Sequence, residues 1–422
     1  DHRDLHSFPT RRSSDLVTAT QSPRLALWVI RSLAGLTLLL FAYFVISALN
    51  ARASYWSSIA EFEYYPCLGW LPHSYNRPAT WGYLCGYVAL AMFFWGLRDY
   101  LLIKTPEDLA DSASKYRLPH RLRLLLWVLC LNGGLLALES MLQRATTNKL
   151  LWIAEPLINK SSPGQLGPYA YRSNGAQFLN LIWPVAVGFW WVLRRRAARH
   201  RSEPDKTHHV LLGCALAMVL AVLFSLSRGA IITEVFCLLL LVPALLVSTR
   251  RKGGQLKWYL AILLPIIPLL LEGPSAARFL TAADDLNQQR VEVWKLAWNL
   301  VGDNPWYGTG LGTFSAVFQL APGLQPKQWY GQLHNDWLEL LITLGGVGCG
   351  LLLLMLLLSM SRWFFGAGVP AHRVLHLSFC IALAGCLLHA LADFPLQIYS
   401  ILFLFVLHCS VLASISSRAP RL

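Results

Sequence analysis

The feature that most constrains this fold is a series of apolar blocks of about twenty residues, separated by shorter polar segments. Read as a helix, a block of that length crosses the roughly 30 Å hydrocarbon core of a bilayer. The sequence therefore predicts an all-α polytopic membrane protein with about ten transmembrane helices. We expect them at 25–49, 81–102, 124–141, 178–193, 209–226, 230–248, 258–271, 337–360, 374–391 and 396–414.

The composition supports the same fold class. Hydrophobic residues make up 55% of the chain and charged residues only 14%, whereas soluble domains are about 25% charged. All cysteines except Cys67 fall inside predicted spans, so the pattern indicates neither a disulfide framework nor a metal-spaced set of ligands. This composition is unlike that of a soluble fold.

The positions of Lys and Arg predict how the helices are oriented. The loops at 103–123, 194–206 and 250–257 are short and rich in basic residues, and such loops remain cytoplasmic. Both termini are then cytoplasmic as well. The net charge of +14 is explained by this asymmetry, so we expect no nucleic-acid partner.

The N-terminal segment is unlike the rest of the chain. Residues 6–16 read His-Ser-Phe-Pro-Thr-Arg-Arg-Ser-Ser-Asp-Leu, which resembles one frame of a sequencing-library adaptor translated into protein. We expect residues 1–16 to be non-native and exclude them from fold reasoning. Residues 17–422 then form a single membrane domain.

The longest predicted outer segment is the loop at 272–335, between helices 7 and 8. Loops of such length are uncommon and tend to be functional. Within it, Val291, Trp294, Trp298 and Val301 recur at helical spacing and predict an amphipathic helix that ends at residues 302–305. Three glycines then form a turn at 308–312, and the chain returns to the bilayer after His334.

Several short motifs have a recognisable order. Ser-Arg-Gly-Ala at 227–230, Arg290 followed by the glycine turn at 308–312, and His-Asn-Asp-Trp at 334–337 resemble the O-antigen ligase/polymerase superfamily. Weaker matches are Gly-Pro-Tyr at 167–169 and the His-x-x-x-Asp-Phe-Pro-Leu element that begins at His389. The resemblance covers residues 167–397.

The resemblance implies a membrane enzyme that transfers glycan from an undecaprenyl-diphosphate carrier to an acceptor hydroxyl, on the periplasmic side of the bacterial inner membrane. It implies neither a metal nor another cofactor. Arg228 and Arg290 are the expected diphosphate ligands, because the guanidinium fork binds phosphate oxygens bidentately and stays charged. His334 is the expected base for the acceptor hydroxyl, because imidazole titrates near neutrality.

A second group of residues is expected to contact substrate, although each has a simpler interpretation. Arg278 competes with Arg290 for the same role, and Asp336, three residues before Glu339, first indicates a helix cap. Two adjacent acids at 284–285 are expected to be solvated rather than to bind a metal. The expected substrate-binding set is Arg172, Asn174, Arg278, Asp336 and Asp393.

The sequence leaves two questions open. A polytopic transporter or lipid-carrier flippase is the alternative function, although transporters place polar groups near the membrane midplane between repeats, and no repeat is visible here. The acceptor is also open: a ligase uses lipid A-core, a polymerase uses a second glycan repeat unit, and related proteins glycosylate protein side chains. The element ending at residues 393–396 mildly favours polymerisation.

Overall fold

A computed structural model describes residues 23–110, 118–146, 165–198, 207–249, 283–320, 330–365 and 372–416. This part of the chain is almost entirely helical. The helices are α1 (Pro23–Leu49), α2 (Arg77–Leu102), α3 (Pro106–Ala110), α4 (His120–Ala145), α5 (Arg172–Ala197), α6 (His209–Phe224), α7 (Arg228–Thr249), α8 (Ala283–Asp303), α9 (Phe314–Val317), α10 (Asp336–Phe365), α11 (Arg373–His389) and α12 (Tyr399–Ser416). Two 3₁₀ turns occupy Phe318–Leu320 and Pro395–Gln397.

In the described part of the chain, one small hairpin interrupts the helices. Strand β1 (Ala53–Trp56) pairs antiparallel with β2 (Glu61–Tyr64), in the connection between α1 and α2. Its root is held by the backbone amides of Arg52 and Ala53, which both donate to Ser74 O. The hairpin therefore sits on the segment that leads into α2.

Seven helices in the described part of the chain are long and apolar enough to cross a membrane, and α6 and α11 are shorter apolar helices. These nine helices correspond to nine of the ten predicted blocks. The block at 258–271, residues 1–16 and Arg278 lie outside the described residues. The predicted helical membrane protein is confirmed as a class.

Helix α5 forms the centre of the bundle and is buried along nearly its whole length. It packs against α4, α6, α7 and α11, and its Trp183, Phe189 and Trp190 are fully enclosed. Small residues let the neighbouring helices approach closely, as membrane helices require. A Cβ on Gly134 of α4, for example, would lie 2.7 Å from Cys214 Sγ of α6.

The start of α5 differs from the sequence expectation. The helix begins at Arg172, whereas the predicted block begins at 178. Ser173, Asn174 and Gln177 are all buried, and a buried backbone needs the internal hydrogen bonds that a helix supplies. Apolar length alone missed this turn because these residues are polar.

The predicted amphipathic helix is present as α8 (Ala283–Asp303), and its buried side chains include residues outside the predicted apolar repeat. Ala297 and Leu300 are its most buried side chains, with Trp294 and Val301 packed beside them. Val291 and Trp298, which belong to the predicted apolar repeat, are 43% and 59% exposed. The small Ala297 allows the helix to lie close to the loop beneath it.

The glycine turn is fastened directly to α10. Gly308 has a φ of 67° and Gly345, at a kink in α10, a φ of 61°, a region that side chains other than glycine rarely adopt. A Cβ on Gly308 would lie 2.5 Å from the Gly345 nitrogen. The Tyr43 hydroxyl of α1 contacts both Tyr307 O and Leu344 O at 2.8 Å, which clamps the two backbones together.

Candidate active site

Four helix ends that carry the sequence motifs meet at one end of the bundle: the starts of α5, α7 and α10 and the end of α11. The Ser227 hydroxyl, just before α7, donates to Ser173 Oγ of α5 at 3.1 Å. The Asp336 amide of α10 donates to Ala390 O at 2.9 Å and Asp393 O at 3.3 Å. Segments far apart in sequence thus form one polar cluster.

His334 lies just before α10 in a backbone conformation that aims its side chain into this cluster. Its φ is 55°, a left-handed conformation that is unfavourable for a non-glycine residue and is often retained at functional sites. Asn335 caps the helix, because its Oδ1 accepts from Leu338 N at 3.1 Å. The expectation that Asp336 caps α10 was therefore wrong.

The imidazole of His334 is paired with the carboxylate of Asp393. Nδ1 lies 3.1 Å from Asp393 Oδ1, and the two side chains are 33% and 6% exposed. An ionised carboxylate only accepts hydrogen bonds, so the proton of a neutral His334 is assigned to Nδ1. Nε2 is then the proton-accepting nitrogen of a partly accessible ring.

Asp393 is held in its ionised form. Burial acts to raise its pKa, but hydrogen bonds with His334, His389 and Ser173 outweigh burial and hold the pKa of Asp393 well below its ordinary range. Ser173 Oγ donates to Oδ2 at 2.5 Å, and His389 Nε2 lies 3.6 Å from the same oxygen. The carboxylate is a fixed negative charge behind His334.

Two aromatic rings fix the orientation of the imidazole. Tyr171 and Phe394 stack at 5.6 Å with an interplanar angle of 10°. The His334 ring stands nearly perpendicular to both, with its centroid 4.8 Å from Phe394 and 6.0 Å from Tyr171. Edge-to-face contacts of this kind are favourable, and here they restrict rotation of the ring.

Arg290, predicted to act in the site, lies beside this pair. Its Nη1 donates to Ala392 O at 3.0 Å, and the guanidinium also hydrogen-bonds the Tyr171 side chain. Burial and the nearby Asp393 charge raise the pKa of Tyr171, so that hydroxyl stays neutral. The half-buried guanidinium of Arg290 therefore lies against the backbone of Ala392, the residue before Asp393.

The other predicted residues are placed as follows. Arg228 is the first residue of α7 and is half-buried, with Ser227 bonded to Ser173 on one side and Gly229 packed against His389 on the other. Arg172 opens α5 close enough to Tyr171 to act on its pKa. Asn174, two residues further along the helix, is 5% exposed.

Asp336 and Glu339 face a different side of the site. Asp336 accepts from Leu396 N at 2.8 Å and from Gln397 Nε2 at 3.0 Å, so it anchors the 3₁₀ turn before α12. Glu339 Oε2 accepts from Leu333 N at 2.9 Å and holds the segment that precedes His334. Both carboxylates have structural partners, and both line a cavity.

That cavity has a volume of about 300 Å³ and lies between α2, α10 and α12. Its polar end is formed by Asp336, Glu339 and Gln397, next to Gln332 of the segment that leads to His334. Its other end is apolar. The apolar lining includes Leu352, Leu353, Leu356, Leu402 and Phe405. The shape and polarity suit an amphiphilic molecule better than a free sugar.

Sequence reasoning missed several residues of the cluster. Ser227 and Phe394 lie in motifs that were singled out for other residues. Their own roles become clear only from the contacts that they make. Ser173, Gln177 and Tyr171 carried no signal on their own, because they lay in a presumed loop. A helix start at Arg172 would have placed Ser173 and Gln177 on one face, four residues apart.

The fold and the cluster define a class: a multi-spanning helical membrane protein with an oriented histidine, a buried carboxylate and an arginine at one end of its bundle. Residues 213–353 match the family model described as O-Antigen ligase, which confirms the resemblance to the O-antigen ligase/polymerase superfamily. The match includes Arg228, Arg290 and His334, whereas Arg172 and Asp393 lie outside it. No curated protein matches the chain.

Proposed function

We propose that this protein is a metal-independent glycosyltransferase of the bacterial inner membrane. It moves a glycan from an undecaprenyl-diphosphate carrier to an acceptor hydroxyl on the periplasmic face. The observation that carries the proposal is the His334–Asp393 pair at 3.1 Å beside Arg290, within a chain whose matched segment belongs to the O-antigen ligase model.

The pair supplies the base. With its Nδ1 proton directed at Asp393, His334 presents Nε2 to the acceptor, and the fixed carboxylate stabilises the imidazolium that forms. Asp393 itself stays ionised throughout, because its hydrogen bonds hold its pKa low. This arrangement uses histidine as the base and the carboxylate as its support.

The arginines supply the electrophilic side. As the acceptor oxygen bonds to the anomeric carbon, the bond from that carbon to the diphosphate oxygen breaks with inversion. The acceptor proton passes to His334, and undecaprenyl diphosphate leaves with one more negative charge. Arg290 and Arg228 are the groups that stabilise this charge, with Arg172 nearby.

The arrangement of charges along α5 supports a periplasmic site. The cluster gathers at the start of α5, whereas Arg194, Arg195 and Arg196 lie in its last turn. A helix of 26 residues is about 39 Å long at 1.5 Å per residue. Basic ends remain cytoplasmic, so the opposite end, with the cluster, faces the periplasm in this proposal.

The acceptor is a second glycan repeat unit or lipid A-core, which makes the protein an O-antigen or exopolysaccharide polymerase or an O-antigen ligase. The cavity next to His334 favours an amphiphilic substrate in either case, because carboxylates stand at one end and leucines at the other. We place the diphosphate beside Arg290 and Arg228, because guanidinium groups bind phosphate oxygens bidentately.

The test is transfer by purified protein in lipid nanodiscs. Undecaprenyl-diphosphate-linked oligosaccharide is supplied with a lipid-linked repeat unit or with lipid A-core, and both the new glycosidic bond and the released carrier are measured. Wild type transfers glycan in the presence of a chelator, and His334→Ala reduces transfer to background. His209→Ala, an exposed histidine at the start of α6, keeps wild-type activity.

Two outcomes would overturn the proposal. One is that wild type forms no glycosidic bond with either acceptor while moving lipid-linked glycan across the bilayer. The other is that His334→Ala, shown by monodisperse gel filtration to be folded, transfers glycan at the wild-type rate.

A further inference from the structure

A second histidine lies behind Asp393 and has no part in the mechanism described so far. His389, the last residue of α11, is 3% exposed. Its Nε2 lies 3.0 Å from Ser173 Oγ, and its Nδ1 lies 2.7 Å from Gln177 Oε1. The ring therefore has a partner on each nitrogen inside the bundle.

The hydrogen bonds of Ser173 show that Nε2 of His389 carries a proton. A serine hydroxyl has one proton to donate and can accept two hydrogen bonds. The 2.5 Å contact with Asp393 Oδ2 requires the Ser173 proton, because two bare oxygens would repel at that distance. The 3.0 Å contact with His389 must then be made by a proton on Nε2.

Ser227 provides the remaining hydrogen bond of Ser173. Its hydroxyl donates to Ser173 Oγ at 3.1 Å, which fills the second acceptor position. Ser173 thus donates once, to Asp393, and accepts twice, from Ser227 and His389. Each of the three hydrogen bonds of Ser173 then has one proton. The amide oxygen of Gln177, 2.7 Å from His389 Nδ1, only accepts, so that contact requires a proton on Nδ1 as well as the one on Nε2.

The turn before α7 is built around the His389 ring. A Cβ on Gly229 would lie 2.8 Å from His389 Nε2, closer than a real Cβ approaches another heavy atom. Glycine at 229 lets the turn that carries Ser227 and Arg228 lie directly against the imidazole. Both neighbours of the arginine in the Ser-Arg-Gly motif therefore contact the cluster: Ser227 bonds to Ser173, and Gly229 packs against His389.

We propose that His389 is a positioning residue for the transfer reaction. Through its Nε2 proton, it and Ser173 fix Oδ2 of Asp393, so that Oδ1 faces His334 Nδ1 and keeps Nε2 of His334 free to accept a proton. This inference rests on the proposed function, and it adds that the Asp393 carboxylate is oriented by donors on α5 and α11.

A matched set of substitutions separates donation from packing. The amide nitrogen of Gln in His389→Gln reaches the place of Nε2, whereas that of Asn in His389→Asn reaches only the place of Nδ1. His389→Leu fills the space without a donor. We expect His389→Gln to keep kcat within about threefold, and the other two to lose about 10- to 100-fold, as supporting groups around an active site typically do.

KM for the lipid-linked donor should change little in all three variants, because His389 does not reach the substrate. If all three variants lose kcat equally, or none loses it, donation from Nε2 plays no part. Failure of the proposed function looks different, since His334→Ala would then remain as active as wild type.

A spectroscopic measurement makes the test independent of turnover. With ¹⁵N-labelled histidine, the His334 signals are assigned by their disappearance in His334→Ala. Wild type and His389→Gln should show neutral His334 protonated at Nδ1. His389→Asn and His389→Leu should show a mixture of tautomers, and an unchanged Nδ1 tautomer in both would overturn the inference.

Discussion

The two flanks of His334 are built in opposite ways. On one side lie Asp393, Ser173 and His389, all at most 4% exposed and joined by short hydrogen bonds. On the other side a cavity of about 300 Å³ runs from Asp336 toward the leucines of α10. One flank is filled with fixed polar partners, and the other is open and mainly apolar.

The difference follows from the helices that form each flank. Helix α5 is buried along nearly its whole length, whereas α2 and α10 bury only 17% and 28% of their spanning windows. A central helix can enclose polar groups whose every bond is satisfied, and peripheral helices leave room for a lipid chain. We infer that the packed flank governs kcat and the open flank governs KM.

The largest effect is expected from Asp393→Asn. An amide cannot hold the Nδ1 proton of His334 as a carboxylate does, and it removes the charge that stabilises the imidazolium. By analogy with aspartates that orient a catalytic histidine, kcat should fall by about 10³-fold or more. Steady-state rates at saturating donor measure this, with Asp303→Asn, exposed at the end of α8, as the control. An unchanged kcat would remove Asp393 from the mechanism.

Arg290→Ala comes next. Loss of a positioned donor to developing negative charge typically costs about 10²-fold in kcat, and Arg290→Lys should recover only part of it because lysine lacks the planar fork. Lys295→Ala, exposed on the same helix, should be neutral. Equal activity of Arg290→Ala and wild type would place the diphosphate elsewhere in the site.

Much of the fold could be predicted from the sequence because apolar length is a direct physical requirement of the bilayer. The blocks at 81–102 and 230–248 agree with α2 and α7 within four residues. The first turn of α5 could not be found this way. Its Ser173 and Gln177 are polar residues buried by other segments, and single-sequence hydropathy carries no record of such partners.

The site was partly predictable for a related reason. His334, Arg290 and Asp393 stand in short motifs. The structure pairs His334 with Asp393 and bonds Arg290 to the carbonyl of Ala392, the residue before Asp393. Asp336 was misread, because a carboxylate at a helix start usually caps that helix, whereas here Asn335 does so and Asp336 binds a turn 60 residues away. Contacts at that separation are set by packing and cannot be derived from spacing.

The role of the open flank in binding the donor lipid can be tested by placing a larger side chain in the cavity wall. Leu352→Trp adds bulk to the cavity wall, so KM for a long-chain donor should rise about fivefold, in keeping with the 1 to 3 kcal/mol cost of overpacking. A short-chain analogue should be affected less. Leu354→Trp is the matched control, because that side chain is 46% exposed and does not line the cavity. Equal KM values for the two variants would mean that the lipid lies elsewhere.

The packed flank should also have a pH signature in stability. Because the pKa of Asp393 is lowered in the folded protein, its stabilisation is complete above the unfolded-state pKa near 4 and is lost as the pH falls toward the folded-state value. The gap in thermal midpoint between wild type and Asp393→Asn should therefore narrow as the pH falls below about 4. A gap that narrows already between pH 7 and pH 5 would contradict the lowered pKa.

The smallest effect is expected from Tyr43→Phe, in α1 beside the glycine turn. The Tyr43 hydroxyl is the only group by which that side chain reaches both Tyr307 O and Leu344 O in the described part of the chain, and its loss should cost about 1 kcal/mol of stability. Activity should stay within about twofold, because the clamp holds the glycine turn and not His334. Thermal unfolding in detergent and kcat are measured together. A large loss of kcat with little loss of stability would show that the two flanks are coupled through α10, since the clamp and the start of that helix would then act as one unit.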